Sequence, residues 1–437
     1  MKISVNELNK YIGEEITFSG FIDAIRDKKW VMFVILRDAT GKVQMTLEKS
    51  EESNKEMLEI LSNTKVESTI KVTGKLVANE AVKLGGVEII PTSVEITSNA
   101  EDLPFDFNNL DGVNIDTRMD YKWLDMRNPR NTLIRRVESC MTEAMRNYLY
   151  EMNFTEIHSP KLIGTASESG SEVFKVKYFD RDAYLAQSPQ FYKQMALAGG
   201  LDKVFEVGPV FRAENSNTNR HATEFTGFDL EFSYIDSYED VMSLEEDLLI
   251  AGLTAVKEKY GDLILETFGK EVIIPSKPFP RIKLKDLYDK LHEKYGFDIP
   301  KEDVGDMNAE AEKLTYKLAQ EEYNSEFMFI VDYAATKRPF YHMRDENGKL
   351  QGYDLIWRGT EITSGAQREH RYEELVKNAQ EKGLGKDVEF YLQFFKYGCP
   401  PHGGFGIGLD RLTMLLLGLS SIKETQFLFR GPNRLNP

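Results

Sequence analysis

Residues 15–100 alternate between apolar and polar positions over short runs, a pattern typical of half-buried β-strands. Five such runs are EITFSGFIDAI, WVMFVILRD, KVQMTLE, STIKVTGKLV and VEIIPTSVEIT, and MLEILSNT between the third and fourth predicts a short helix. Five strands with a helix between strands three and four is the element order of an OB-fold barrel. Another small β-barrel fits the pattern equally well, so pattern alone leaves both architectures open.

The pattern changes after residue 100. Residues 101–130 mix Pro, Gly, Asn and Asp with little periodicity and predict a linker. An amphipathic helix is then predicted by apolar residues spaced four apart: Leu133, Val137, Met141, Met145 and Leu149. Strand-like segments follow at irregular intervals, with long helices predicted around 237–260 and 363–384.

Strands that do not alternate regularly with helices favour an antiparallel-rich α+β domain over a doubly wound sheet. Residues 262–323 predict a mainly helical insertion into that domain. The expected organisation is therefore a β-barrel domain over 1–100, a hinge or linker over 101–130, and an α+β domain over 131–437.

Composition narrows the class of protein. Of the 437 residues, 41% are hydrophobic and 29% are charged, an ordinary globular mixture. No apolar run is long enough to span a bilayer, and acidic residues stand where a signal peptide would be apolar. Cys140 and Cys399 are isolated, so neither a metal motif nor a disulfide framework is indicated. We expect a cytoplasmic protein without a membrane partner.

The net charge of −16 argues against a generic nucleic-acid binder. That charge is unevenly distributed, because residues 1–100 contain 13 Lys and Arg against 15 Asp and Glu. The remaining −14 belongs to the rest of the chain, so the N-terminal module can still contact phosphates.

Residues 210–231, VFRAENSNTNRHATEFTGFDLE, predict two strands joined by a polar loop. Arginine binds phosphate, an aromatic ring stacks on a base, and a carboxylate accepts from an exocyclic amine. The segment therefore has the groups that hold a nucleotide: Arg212, Glu214, Arg220, His221, Phe225 and Asp229, followed by Glu231. Such residues more commonly belong to a surface hairpin that contains salt bridges.

Residues 402–415, HGGFGIGLDRLTML, place alternating glycines before an apolar helix. Glycines at every second position leave one face of a strand bare, so a flat ligand or another backbone can approach. Arg411 in the first helical turn, after Gly408 and Asp410, would meet an anion there. The spacing is not the GxGxxG of a dinucleotide-binding fold. A glycine-rich turn without a binding function also fits the segment.

Two further segments carry candidate chemistry. In DLIWRGTEITSGAQREHR, the oxygens of Asp354, Glu361 and Ser364 suit Mg²⁺, and Arg368 is a fixed cation beside them. In YLAQSPQFYKQM the polar groups are Ser188, Gln190 and Lys193. An ion pair for Arg368, a helix cap for Ser364 and a solvated lysine at 193 are the structural alternatives.

Together these segments resemble, in order and spacing, the class II aminoacyl-tRNA synthetases. Phe211-Arg212-Ala213-Glu214 with His221 and Phe225 resembles motif 2, and Gly404 through Arg411 resembles motif 3. Pro160, after a long helix, resembles the end of motif 1, the segment that forms the family's homodimer interface. The resemblance covers nearly the whole chain, and its layout is most similar to the archaeal-type aspartyl enzymes.

The resemblance implies ATP-dependent activation of L-aspartate to aspartyl-adenylate and transfer to tRNA(Asp), with tRNA(Asn) left open as a second acceptor. In ATP binding, Arg212 is implied for the α-phosphate, Glu214 and Phe225 for adenine, and His221 and Arg411 for the outer phosphates. Arg220, Gly408 and Asp410 line the same nucleotide site. Mg²⁺ is implied at Glu361 and Ser364, with Asp354 nearby.

For the amino acid, the resemblance implies that Lys193 and Arg368 bind the side-chain carboxylate. A site with two cations favours aspartate, since asparagine would leave a charge uncompensated. Asparaginyl relatives read Ser-Gly-Gln at 188–190 and lack a lysine at 193. The α-ammonium would contact Ser188, Gln190 and Asp229, Glu168 belongs to a loop that closes over the substrate, and Arg212 and Ser364 complete the aspartate site.

In the N-terminal module, the resemblance implies that Phe33 stacks on the central anticodon base and that Gln44 bonds its edge. Arg26, Lys28 and Lys29 would contact backbone phosphates. Barrel core is the alternative for Phe33.

Two positions depart from the family pattern. Asp23 and Ala81 stand where members strict for one tRNA carry Trp and Lys, and Leu428-Phe429-Arg430-Gly431 replaces the usual Phe-Pro-Arg-Asp ending. The alternatives left open are an asparagine–tRNA ligase, an amide-forming asparagine synthetase on the same core, and a non-catalytic tRNA-binding paralogue.

Overall fold

The computed structural model describes residues 3–164, 172–216 and 218–437. The chain folds as two compact units, Met1–Leu110 and Asp111–Pro437. The division between them falls inside the stretch for which the sequence predicts a linker.

The first unit is a closed barrel of five strands in the order β1-β2-β3-β5-β4. Its elements are β1 (Glu15–Asp27), β2 (Val31–Arg37), β3 (Lys42–Glu48), α1 (Lys55–Ser62), β4 (Thr69–Ala78) and β5 (Val87–Ser98). Every second residue of the strands points inward, so that Met32, Val34 and Leu36 of β2 are buried in the core. This is the OB-fold order, with α1 between strands three and four as predicted.

The second unit is built on an eight-stranded mixed sheet, counted over the described residues, in the order β12-β13-β14-β15-β16-β11-β10-β6. Its central strands are β10 (Lys203–Phe211), β11 (Glu224–Ser233), β14 (Gly352–Trp357), β15 (Thr360–Arg368) and β16 (His402–Gly408). These five pair antiparallel, whereas the outermost pairs β12–β13 and β10–β6 are parallel. The predicted antiparallel-rich α+β domain is confirmed.

Shorter strands complete this unit. The outer strands of the large sheet are β6 (Thr155–Glu156), β12 (Arg281–Lys283) and β13 (Phe327–Val331). A separate three-stranded sheet contains β7 (Leu162–Ile163), β8 (Lys175–Tyr178) and β9 (Arg181–Leu185).

Two long helices cover the large sheet and pack on each other. In α4 (Pro129–Glu151) the five apolar residues spaced four apart are all buried, as the pattern predicts. The second, α6 (Tyr238–Phe268), begins at a capping box between Ser237 and Asp240 and ends at Gly269 in the left-handed conformation.

The remaining helices are short or belong to the segment between β11 and β15. They are α2 (Ile115–Asp120), α3 (Lys122–Asp125), α5 (Gln190–Ala198), α7 (Leu284–Tyr295), α8 (Ala309–Tyr323), α9 (Tyr372–Glu381), α10 (Glu389–Leu392), α11 (Leu409–Leu417) and α12 (Ile422–Thr425).

The helix predicted over 363–384 is wrong. Residues up to Arg368 form β15, which lies between β14 and β16 in the middle of the sheet, and only Tyr372–Glu381 is helical. Thr363, Gln367 and Arg368 are buried because both faces of this strand are covered, so the alternation expected of a strand is absent. The first predicted helix also extends further, to Phe268, into the stretch 262–323 that also contains α7, α8 and β12.

Candidate active site

A cavity of about 320 Å³ opens over the centre of the large sheet. Strands β11, β15 and β16 form its floor, and the loop after β10 and the start of α11 form its walls. It brings together most of the residues predicted from sequence: Ser188, Gln190, Arg212, Glu214, Arg220, His221, Phe225, Asp229, Glu361, Ser364, Arg368, Gly408, Asp410 and Arg411. Lys193 and Asp354 lie outside the cavity lining but contact residues that line it.

One end of the cavity carries cations and an aromatic ring. The guanidinium of Arg212 lies 5.2 Å from the centre of the Phe225 ring, and its Nη1 is 3.9 Å from Glu214. His221 approaches Glu214 to 3.9 Å, while burial and the nearby Arg411 lower the pKa of this histidine. The Phe225 ring offers a stacking surface, Glu214 a carboxylate, and Arg212 and Arg411 two cations. Together these groups suit a purine and its phosphates.

Arg411 and Arg220 mark the wall beyond this end. Arg411 donates from Nη1 to the carbonyl of Glu361 at 2.8 Å, which holds the guanidinium against the floor. Arg220 donates to Glu312 of α8 at 3.1 Å, and the same carboxylate oxygen accepts the backbone N–H of Glu361 at 3.1 Å. Helix α8 therefore supplies an acid that lies behind the cavity wall and binds two residues that line the cavity. No local pattern predicts this contact, because Glu312 is 92 residues from Arg220.

The opposite end is a buried set of two cations and two carboxylates. Lys193 is fully buried, and its Nζ lies 3.1 Å from Asp229 and 3.4 Å from Glu231. Arg368 donates from Nε to Glu231 at 2.7 Å and from Nη2 to Gln190 at 3.3 Å. Although burial would raise it, the two cations hold the pKa of Glu231 below its usual range. The four charges sum to zero.

Glycines on β16 make room for these carboxylates. Gly404 is paired with Glu231 and Gly406 with Asp229 across the β11–β16 ladder. A Cβ at Gly404 would lie 2.1 Å from the carbonyl oxygen of Leu230, and one at Gly406 would lie 2.6 Å from Asp229. The bare face predicted from the alternating glycines is therefore occupied by the neighbouring strand and its acids.

A chain of hydrogen bonds behind Gln190 fixes the direction of its amide. His402 donates from Nδ1 to the carbonyl of Pro400 at 2.8 Å, so its Nε2 accepts from Gln194 at 2.8 Å. Gln194 in turn accepts from Gln190 and from Tyr391. Burial lowers the pKa of His402 to about 4, so this histidine adds no charge to the set.

The floor between the two ends is acidic. The Ser364 hydroxyl lies 2.8 Å from Asp354 and 3.0 Å from Glu361, and Arg338 binds both carboxylate oxygens of Asp354 at 3.0 and 2.5 Å. Burial and the neighbouring Asp354 raise the pKa of Glu361, which marks negative charge not fully offset by the cations. Among the described residues no three His, Cys, Asp or Glu side chains come together as a self-sufficient metal site. Glu361 and Ser364 fit a hard divalent cation that takes its other ligands from phosphates.

Comparison with known proteins assigns the family. Residues 114–430 match the model described as tRNA synthetases class II (D, K and N), and residues 16–97 match the OB-fold nucleic acid binding domain. The chain belongs to the class II aminoacyl-tRNA synthetases. It is a ligase of the aminoacyl-tRNA synthetase type, and the family that the sequence resembles is confirmed.

Individual relatives of this synthetase span its whole length. It is 41% identical to the aspartate–tRNA(Asp/Asn) ligase of Aeropyrum pernix over 98% of this chain and 96% of the relative. It is also 41% identical to the aspartate–tRNA(Asp) ligase of Pyrococcus abyssi, over 99% and 97%.

Solved structures give the same picture. Asparaginyl-tRNA synthetase from Pyrococcus horikoshii in complex with asparaginyl-adenylate superposes with a TM-score of 0.91 at 31% identity and full coverage of both chains. Aspartyl-tRNA synthetase from Entamoeba histolytica gives 0.87 at 34% identity, covering 100% of this chain and 93% of that one.

The synthetase's OB-fold barrel presents a row of predicted residues on its outer face. Arg26, Phe33 and Thr46 are direct partners across β1, β2 and β3, and Gln44 lies two residues from Thr46. Phe33 alternates with buried core residues and is itself outside the core, so the barrel-core interpretation of this ring is wrong. Glu88 was missed by the sequence analysis; it accepts from Gln44 and Thr46 at 3.2 and 2.5 Å.

Three further outcomes concern Glu168, membrane spans and Glu231. Glu168 lies outside the described residues. No helix in the described part of this synthetase is long and apolar enough to cross a membrane. The sequence predicts no separate role for Glu231, although its place two residues after Asp229 on a strand indicates that both acids face the same way.

Proposed function

We propose that the protein is an aspartate–tRNA ligase, which activates L-aspartate with ATP and transfers it to tRNA(Asp). The observation that carries the proposal is the buried set of Lys193, Arg368, Asp229 and Glu231 at one end of the cavity. Its charges decide which amino acid is accepted.

The four charges of the set cancel, so the groups of the amino acid that enter this end should also carry no net charge. Aspartate brings an α-ammonium and a side-chain carboxylate, and its other carboxylate lies at the reacting end. The total is then three positive and three negative charges. Asparagine would leave three positive charges against two negative ones, in a place where unpaired charge is strongly disfavoured. Because the two cations are already paired in the protein, selectivity depends on the substrate ammonium as well as on Lys193 and Arg368.

The other residues of the cavity have roles in the same reaction. Arg212 binds the α-phosphate and the reacting carboxylate, Phe225 stacks on adenine, and Glu214 accepts from its amino group. His221, Arg220 and Arg411 face the outer phosphates. A carboxylate oxygen of aspartate attacks the α-phosphorus, pyrophosphate leaves, and a terminal hydroxyl of tRNA then displaces AMP from the anhydride. Positioning and charge neutralisation supply the rate, without a protein nucleophile.

Mg²⁺ would be held by Glu361 and Ser364, and it would neutralise the phosphates as the pyrophosphate departs. Asp354 positions Ser364 and is itself paired with Arg338.

The tRNA is selected on the OB-fold barrel. Phe33 stacks on the central anticodon base and Gln44 reads its edge, since the Nε2 of Gln44 is directed to Glu88 and its carbonyl is turned to the base. Arg26 and the exposed Lys28 and Lys29 bind backbone phosphates.

The range of tRNA accepted is proposed to include tRNA(Asn). Asp23, at the bulge of β1, has no ring to stack on a base, and its carboxylate is bound by Arg37 at 3.0 Å and Lys42 at 2.6 Å, so the aromatic surface of strict relatives is missing here. Ala81 is exposed and short. The enzyme works as a cytoplasmic homodimer through the motif 1 segment that ends at Pro160.

Pyrophosphate exchange with each amino acid tests the proposal. Exchange driven by aspartate and not by asparagine is the expected result, and the reverse would identify an asparagine–tRNA ligase. Charging of tRNA(Asp) and tRNA(Asn) transcripts side by side then measures the acceptor range. Release of free asparagine in the presence of ammonia would identify an asparagine synthetase. Binding of tRNA without adenylate formation would identify a non-catalytic tRNA-binding paralogue.

A further inference from the structure

His342 is held opposite Arg368 by the backbone. Met343 donates its N–H to Gln367 at 3.0 Å, and Glu369 donates to Tyr341 at 2.8 Å, so residues 341–343 run antiparallel to the end of β15. Residues directly opposed in such a pair project to the same face of the sheet. The fold therefore sets the His342 ring beside the guanidinium, independently of any contact between the side chains.

The two side chains are joined by a directed hydrogen bond. His342 is 5% exposed and lines the cavity, and its Nε2 lies 3.0 Å from Nη1 of Arg368. A guanidinium can only donate, so Nε2 is unprotonated and the ring proton is on Nδ1. Burial and Arg368 lower the pKa of His342 well below its usual range, which keeps the ring neutral.

The partners of Arg368 account for nearly all of its five N–H groups. Nε donates to Glu231, and Nη2 donates to the carbonyl of Gly404 at 2.8 Å and to Gln190 at 3.3 Å, with a longer contact to Glu231 at 3.5 Å. His342 takes one N–H of Nη1. Among the described residues, the second N–H of Nη1 is the donor for which no protein acceptor is found.

We propose that His342 is a positioning residue that determines specificity for aspartate. By accepting one hydrogen of Nη1, it fixes the guanidinium so that the other is presented to the substrate side-chain carboxylate. A neutral ring suits this position, because a carboxylate here would cancel the charge of Arg368 and a lysine would repel it. The inference rests on the proposed function, in which Arg368 binds that carboxylate.

The test compares two amides that differ by one methylene. In His342→Gln the amide oxygen reaches the position of Nε2 and still accepts from Arg368, whereas in His342→Asn it is too short. Losing one hydrogen bond to a charged group corresponds to a roughly ten- to hundredfold effect. We expect His342→Asn to raise the KM for aspartate by that factor, with kcat and the KM for ATP changed less than about twofold.

His342→Gln should stay within about threefold of the wild type in the KM for aspartate. The matched control is His292→Asn, the same replacement at a histidine that is 63% exposed on α7. The ratio of aspartate to asparagine activation should fall in His342→Asn and stay constant in the control. If the melting temperature of His342→Asn falls well below that of the wild type, His342→Leu is used in its place. The leucine removes the acceptor without burying an unpaired amide.

Two results would overturn the inference alone: an unchanged KM for aspartate in the folded asparagine variant, or equal increases in the KM for aspartate and for ATP. The second would show a merely structural role. A wild-type enzyme with no aspartate-dependent exchange would instead overturn the proposed function, and the inference with it.

Discussion

Replacing Lys193 by methionine removes one of the two buried cations while filling nearly the same space. The ammonium lies 3.1 Å from Asp229, 3.4 Å from Glu231 and 3.3 Å from the carbonyl of Leu230. Removing one partner of a buried ion pair costs about 3–5 kcal/mol, because the other charge stays behind without compensation.

The consequence for catalysis follows from the charge balance. With aspartate bound, Lys193→Met leaves Arg368 and the α-ammonium against three carboxylates, so kcat/KM for aspartate should fall roughly a hundred- to thousandfold. With asparagine bound, the same variant has two positive and two negative charges and is balanced. Activation of asparagine should therefore change much less, and discrimination between the two amino acids should collapse.

Pyrophosphate exchange over a range of aspartate, asparagine and ATP concentrations measures both effects. Lys377→Met, at a lysine 65% exposed on α9, is the matched control, and the melting temperature of each variant is recorded. A folded Lys193→Met enzyme that activates aspartate as well as the wild type would refute the charge argument. An equal loss for both amino acids would refute the part concerning selectivity.

Three further results are expected. Glu361→Gln should raise the Mg²⁺ concentration needed for half-maximal exchange, and an unchanged Mg²⁺ titration would contradict the assignment of this ligand. Burial raises the pKa of Glu245 to about 8, so the folded protein keeps a proton that the unfolded chain releases above its ordinary value of 4.5. Stability should consequently fall between pH 4.5 and 8, by at most about 1.4 kcal/mol per pH unit from this group. Glu245→Gln, which still accepts from Tyr353, should flatten that dependence in melting curves from pH 6 to 8; parallel curves for both proteins would count against it. Phe33→Ala should raise the KM for tRNA about tenfold or more while leaving pyrophosphate exchange unchanged, and a matching loss in exchange would show that the ring acts on folding instead.

The barrel and the end of the cavity lined by Arg212 and Phe225 could be predicted from sequence because their signals are local. Strand alternation in residues 15–100 and the run from Arg212 to Phe225 each contain the groups that later lie together. Strands whose buried residues are polar could not be predicted in this way. The end of β15 reads as helix because its polar residues face covered layers, and burial of that kind is visible only after the sheet has assembled.

The buried charge set at the other end of the cavity shows a second limit. Lys193 taken alone reads as a surface lysine, and its full burial depends on Asp229 and Glu231, which lie 36 and 38 residues further along the chain. His342 and Glu312 had no local pattern at all, since their partners are 26 and 92 residues away. The resemblance to a family supplied Lys193 and Arg368 as ligands, but it did not show that both are neutralised by the protein itself.

The glycines of β16 restrict how this enzyme can evolve. At Gly404 even a single methyl group would overlap the backbone of β11, so any substitution at this position forces the two strands apart. Position 342, on the opposite flank of Arg368, is one place besides Lys193 where a side-chain exchange can shift amino-acid preference. If His342 positions Arg368 as proposed, inherited variation at this position would change the fidelity with which aspartate is read into proteins before it changed the fold.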